Sequence, residues 1–194
     1  MKIKALLCVV AILFIAIYAV AQEAGTFSDL RNKKDYKTIK IGNQTWMAEN
    51  LNFNTSKSWC YENRKRNCKI YGRLYTYDAA MSACPTGWHL PSDSDWTALI
   101  IYVGSDVGTK LKSASGWNET GNGTDTYGFT ALPGGSRFSN GTFGSLGGHG
   151  YFWSSTQLDG DNSWLRYMNF NNGIVEYYYF RKNLGFSVRC IKDL

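Results

Sequence analysis

The chain has 194 residues, with 21 Lys and Arg against 15 Asp and Glu, a formal net charge of +6 and 15% aromatic residues. That is one domain's worth of sequence, long enough to bury a core. The basic runs Lys33-Lys34 and Arg64-Lys65-Arg66 read as solvated surface with no base-stacking motif beside them, which excludes a nucleic-acid partner.

In chain order, Met1-Lys2-Ile3-Lys4 is a short basic leader, Ala5 to Ala21 an unbroken apolar run, and Ala19-Val20-Ala21 a small-residue exit. These are the three parts of a secretory signal peptide. The expectation is cleavage after Ala21 (residues 1–21 removed), leaving residues 22–194 as one exported domain with no membrane attachment. Its charge is then 19 − 15 = +4. An uncleaved anchor is the alternative, since the run stands at the lower edge of the roughly 17–25 residues that span a bilayer. Cys8 lies inside the run, not at its end, and reads as a small hydrophobe.

Ile39, Ile41, Trp46 and Ala48 are the inward faces of two predicted short strands around a Gly42-Asn43 turn. Tyr75 to Ala83 lacks breakers and predicts a helix, ended by Pro85-Thr86-Gly87. Trp88 to Pro91 is an extended link, because Pro91 biases Leu90 away from the helical region. Ser92 then caps a second helix. Asp93 and Asp95 suit its positive end, Trp96, Leu99, Ile100 and Val103 form its apolar stripe, and Gly104 stops it. Ser105 to Ser113 predicts a shorter third helix. After Ser115 the helical period is lost. Thr126 to Leu132, Phe152 to Ser155, Ser163 to Phe170, Ile174 to Phe180 and Gly185 to Ile191 read as strands, with Asn171-Asn172-Gly173 as a hairpin turn. The fold class is therefore α+β, with two or three helices, small antiparallel sheets and long loops.

Four cysteines remain beyond the leader: Cys60, Cys68, Cys84 and Cys190. An even number in an exported chain points to disulfides, with three pairings possible. The short loop over Tyr61-Glu62-Asn63 favours Cys60 with Cys68, which leaves Cys84 with Cys190. No C-x-x-C or H-x-x-H spacing occurs, His89 and His149 are far apart, and no metal or cofactor is assigned. Asp159-Gly160-Asp161-Asn162 alternates oxygen groups as a calcium loop does, but lacks a distal Glu and reads as an Asp-Gly turn. Gly134-Gly135 and Gly147-Gly148 have no phosphate-loop context. Ser154 and Ser155 lack a nucleophile-elbow setting, and His89 reads as a hydrogen-bonded packing residue.

Six phrases occur in order: Ile41 to Asn52, Tyr71 to Thr76, Cys84 to Ser92, Ala131 to Arg137, Phe152 to Thr156 and Gly185 to Cys190. Together they resemble the Fibrobacter succinogenes major paralogous domain, a family of exported bacterial proteins. That family is similar to the C-type lectin-like fold and, within it, to the domain of formylglycine-generating enzymes. The resemblance implies a looped domain whose two ends meet, and it supports joining Cys84 to Cys190. The calcium and sugar triplets of sugar-binding C-type lectins are absent. The reactive cysteine pair of the formylglycine-generating enzymes has no counterpart once the four cysteines are paired.

The functional expectation is a non-catalytic extracellular or cell-surface module that binds a polysaccharide or a surface protein. A structural envelope component whose aromatic surface packs on like copies is the alternative. Aromatic faces stack on sugar rings. Trp117, Trp153, Trp164 and the run Tyr177-Tyr178-Tyr179 are the candidates, Trp153 reading mostly as core. The ligand surface is expected over Gly116 to Tyr151, with Trp117 as its principal residue and Tyr177, Tyr178 and Tyr179 as neighbours.

Overall fold

The computed structural model describes residues 23–194. The expected signal peptide, residues 1–21, lies outside the described residues. Strand β1 (Ala24–Asp29) pairs antiparallel with β2 (Lys34–Ile41), which turns through Gly42-Asn43 into β3 (Gln44–Met47). Gly42 has φ 61°, the positive value that a tight hairpin turn requires. Ile39, Ile41, Trp46 and Ala48 are all buried, as their alternation predicts.

The chain then runs through β4 (Ser58–Trp59), α1 (Lys65–Tyr71), β5 (Leu74–Tyr75), α2 (Tyr77–Met81) and β6 (Trp88–His89). Next come α3 (Asp93–Val103) and α4 (Val107–Leu111). The remaining strands are β7 (Ser136–Arg137), β8 (Phe143–Gly144), β9 (His149–Gln157), β10 (Asn162–Asn169), β11 (Glu176–Arg181), β12 (Phe186–Ser187) and β13 (Ile191–Lys192). The mixed helix and sheet content is the α+β class expected from the sequence.

Three sheets result: β1-β2-β3-β13-β6, β11-β10-β9-β12-β5-β4 and the pair β7-β8. The late strand β13 lies between β3 and β6, so the end of the domain closes on its first hairpin. One core gathers Trp46, Trp96, Phe129 and Phe152 under the first sheet and α3. A second gathers Tyr75, Trp153, Phe186 and Cys190.

Helix α3 has the predicted cap. Ser92 Oγ accepts from Asp95 N at 3.2 Å, and Asp95 Oδ2 accepts from Ser92 N at 2.8 Å. The other two predicted helices are shorter than expected. Tyr75 is taken by β5 and Thr76 becomes the cap of α2, and α4 keeps only the middle of Ser105 to Ser113.

The strand expected over Thr126 to Leu132 is absent; only an isolated bridge joins Ala131 to Lys112. The carbonyls there serve a different partner. Arg189, fully buried, donates through Nη1 to Met47 O and Phe129 O and through Nη2 to Asn50 Oδ1 (2.7 Å) and Thr130 O (3.0 Å). Asp125 also accepts from Thr130 N and Oγ1 and turns the chain before it reaches a ladder. Gly185 to Ile191 divides into β12 and β13 on different sheets, with the residues between them set around Arg189. Sequence reading missed β1 and α1 altogether.

Candidate functional site

The long hairpin β10–β11 forms one side of the large sheet, and β11 is its edge strand. Its connection is longer than the predicted Asn171-Asn172-Gly173 turn, because α4 takes hold of it. Lys112 Nζ donates to Asn169 O at 3.1 Å and Asn172 O at 2.9 Å, and Gly108 N donates to Gly173 O at 2.8 Å. A Cβ at Gly108 would come within 2.6 Å of Ile174 O, so only glycine permits this approach.

Register decides which rings share a face. Trp164 pairs with Tyr179 and Arg166 with Tyr177, whereas Leu165 pairs with Tyr178. The predicted tyrosine run is therefore split. By register Tyr177 and Tyr179 belong to one face with Trp164 and Tyr178 to the other with Phe180, although at this sheet edge the Tyr178 ring still stacks on that of Tyr179 at 5.3 Å. Tyr177, Tyr178 and Tyr179 are 64%, 50% and 44% exposed. The Trp164 ring lies 5.3 Å from that of Tyr177 and 5.6 Å from that of Tyr179. The two tyrosines are two strand positions apart, about 7 Å. Towards β9 the same face is covered by α3, where Trp96 meets Phe152. The cover ends at the Arg166–Asp93 ion pair, 2.9 Å, whose guanidinium also lies 5.5 Å from the Tyr177 ring. Three aromatic rings thus share an exposed face beside a fixed charge.

On the opposite face Tyr151 stacks between His149 (5.5 Å) and Tyr167 (5.8 Å). Burial pushes Tyr167 up to about 12, and the Glu176 carboxylate beside it adds to the shift. Burial also lowers His149, whose Nδ1 has no partner. These phenols stay protonated and the imidazole neutral at physiological pH, so the rings of this face carry no charge and the Glu176 carboxylate beside Tyr167 is the charged group there.

A cleft of about 640 Å³ adjoins the hairpin, lined among others by Lys57, Trp59, Asp78, Asp161 and Arg181. Arg181, the last residue of β11, is the strand's contribution to its lining. Lys182 holds the adjoining loop. Its Nζ donates to Gln157 Oε1, Asp159 O and Gly160 O at 2.7, 2.8 and 3.0 Å. The Asp159 carboxylate accepts from Asn162 Nδ2 at 3.0 Å and from Asp161 N and Asn162 N, both at 2.8 Å, and these bonds hold its pKa below the usual carboxylate value. The Asp159 to Asn162 stretch is a turn closed by its own backbone and by an ammonium. Among the described residues no cluster of three or more His, Cys, Asp or Glu is placed to hold a metal.

Trp117 is not on the aromatic face. It is 5% exposed, and its Nε1 donates to Ser113 Oγ and Ala131 O, both at 3.1 Å. Lys112 Nζ lies 5.0 Å from its ring. The exposure expected for Trp117 is corrected: the polar turn around it folds over the indole. Trp153 is also core, with Nε1 donating to Tyr75 O. His89 is exposed and hydrogen-bonded to Asp193, 2.6 Å from Nδ1.

Cys60 and Cys68 are bridged, as are Cys84 and Cys190, with S–S distances of 2.05 and 2.07 Å. Among the described residues no helix is long and apolar enough to cross a membrane. A family model, the Fibrobacter succinogenes major domain, matches residues 39–192. No curated protein and no solved structure matches the chain.

Proposed function

Because the chain belongs to the Fibrobacter succinogenes major domain family, we propose that it is a non-catalytic surface module of C-type-lectin-like architecture, and that it binds carbohydrate on the exposed face of the β10–β11 hairpin. The observation that carries this reading is the grouping of Trp164, Tyr177 and Tyr179 on one exposed face. Rings held by cross-strand packing lose little freedom when a sugar stacks on them. The adjoining cleft supplies Asp78, Asp161 and Arg181 as acceptors and donors for hydroxyls. Two disulfides suit the oxidising compartments outside the cytoplasm and support export.

A panel of soluble and insoluble polysaccharides, read by tryptophan fluorescence, tests the reading. A ligand should perturb the Trp164 emission, and Trp164→Phe should abolish that change while leaving binding largely intact. Binding to no polysaccharide, or binding unaltered in a Tyr177→Ala/Tyr179→Ala variant, would remove the hairpin as the site.

A second reading, a protein partner, draws on the edge position of β11. Lys182 N donates to Asp161 O, so by the alternation of the antiparallel ladder Tyr177, Tyr179 and Arg181 turn their backbone groups outward. Such an edge can accept a further strand. Concentration-dependent self-association, lost when lysine replaces Tyr179, would favour this reading over the glycan one.

A further inference from the structure

Arg73 follows α1 and reaches back to the Cys60–Cys68 bond. Its Nε donates to Ser58 Oγ at 3.0 Å and its Nη2 to Ser58 O at 2.8 Å, which fixes the guanidinium plane. The remaining nitrogen, Nη1, lies 3.7 Å from both Cys60 Sγ and Cys68 Sγ. Among the described residues no carboxylate forms an ion pair with Arg73. Burial lowers its pKa, so this cation is partly stripped of water, yet a guanidinium keeps its proton. A disulfide sulfur is only a weak acceptor. A thiolate at either sulfur would supply the counter-anion that the site lacks. The loop closed by the bond adds Arg64, Lys65 and Arg66, and its acid, Glu62, is already paired with Arg64 at 3.1 Å.

We infer that Cys60–Cys68 is a thiol–disulfide exchange site in which Arg73 holds the departing sulfur as a thiolate. One thiolate of an external dithiol attacks Sγ of either cysteine. The S–S bond breaks, and its electron pair leaves with the other cysteine, facing Arg73 Nη1. The dithiol's second sulfur, deprotonated, then attacks the mixed disulfide. That step forms the external disulfide and releases the first cysteine. Two electrons pass from the dithiol to the protein, and the dithiol's two protons go to the cysteines or to solvent. Nη1 is equidistant from the two sulfurs, so either can leave.

The other bridge differs in its leaving group. Cys84 is partly exposed and so easier to reach than Cys60 or Cys68, which are 8% and 5% exposed. Attack at Cys84 must expel Cys190, which is fully buried in the apolar cluster with Trp153 and Phe186. A thiolate there is disfavoured, and a poor leaving group slows exchange. Arg31 reaches Cys84 only at its carbonyl oxygen and is bound to Asp29. Access favours the long bridge, thiolate stabilisation favours the short one, and the leaving group decides.

The test uses the oxidised protein in its folded state, with dithiothreitol as probe at neutral pH, an iodoacetamide quench and peptide mapping. Cys60 and Cys68 should be labelled about tenfold faster than Cys84 and Cys190, or more. In protein reduced at this pair alone, ultraviolet thiolate absorbance should titrate below the free-cysteine value of about 8.5, rise towards it in Arg73→Gln, and return part of the way down in Arg73→Lys. Equal labelling rates, prior opening of Cys84–Cys190, or a wild-type thiolate at or above about 8.5 would overturn the inference. The wild-type labelling and titration decide the matter even where Arg73→Gln does not fold.

Discussion

At Trp117 two hydrogen bonds and a burial of all but 5% of the surface tie the indole into the first core. Truncation to alanine should cost about 3–5 kcal/mol, the range for a buried Trp or Phe. Urea unfolding measures this, and a loss below about 1 kcal/mol would mean that the ring does not pack as described. Arg189 is a starker case. It is a fully buried cation, with its pKa lowered by desolvation to about 9 against the partial opposing effect of the Asp125 and Glu49 carboxylates. Its guanidinium meets four protein oxygens from two segments, Met47 with Asn50 and Phe129 with Thr130. Arg189→Met leaves those oxygens unpaired, at about 1–3 kcal/mol each when nothing replaces the donor, so loss of folding is the expected result. Asp29 sets the acid limb. Arg31 holds its carboxyl below the usual range, so the pair stabilises the fold above the unfolded value of about 3.9 and is lost as pH falls through the lower folded value. In Asp29→Asn the decline of melting temperature below about pH 4 should flatten. The sequence made Ser92 legible because a cap and its acid sit within four residues. Arg189 was not legible, because its partners Met47, Asn50, Phe129 and Thr130 are scattered along the chain.

Among the elements, α3 and the β2–β3 hairpin were read from local signals, namely a capped 3.6-residue stripe and a Gly42-Asn43 turn. The Thr126 to Leu132 segment carried the alternation of a strand yet makes no ladder, because Asp125 and Arg189 consume its backbone groups. Single-sequence patterning registers propensity, not which partner claims a carbonyl. The tyrosine run shows the same limit at the site. The run marks a candidate surface in the sequence, whereas its division between two faces follows from register with β10. The Asp159 to Asn162 turn gives an element-scale prediction. Lys182 already occupies the Asp159 and Gly160 carbonyls, so millimolar calcium should leave the melting temperature unchanged, while Lys182→Met should lower it. A calcium-dependent rise in the wild type would show that the loop releases the ammonium for a metal.

For the whole molecule, the two disulfides do different work. Cys84–Cys190 spans 106 residues and fastens the chain after α2 to the stretch just before β13, beside the closing sheet. A loop of that size corresponds to about 4.7 kcal/mol of chain entropy, against about 2.5 kcal/mol for the eight-residue loop of Cys60–Cys68. Replacing the long bridge by two serines should therefore lower stability by more than replacing the short one. The long bridge fastens the first sheet at β13, while β11 stands at the edge of the other sheet with its tyrosine rings exposed. The central claim concerns those rings, and it is tested most directly by retention on an insoluble polysaccharide that the wild type binds. The wild type is compared with a Trp164→Ala/Tyr177→Ala/Tyr179→Ala variant, with the melting temperature of each recorded. Each stacked ring is worth about 0.5–1.5 kcal/mol, so the variant should lose about tenfold or more in affinity while melting close to the wild type. Undiminished retention by a folded variant would contradict the account.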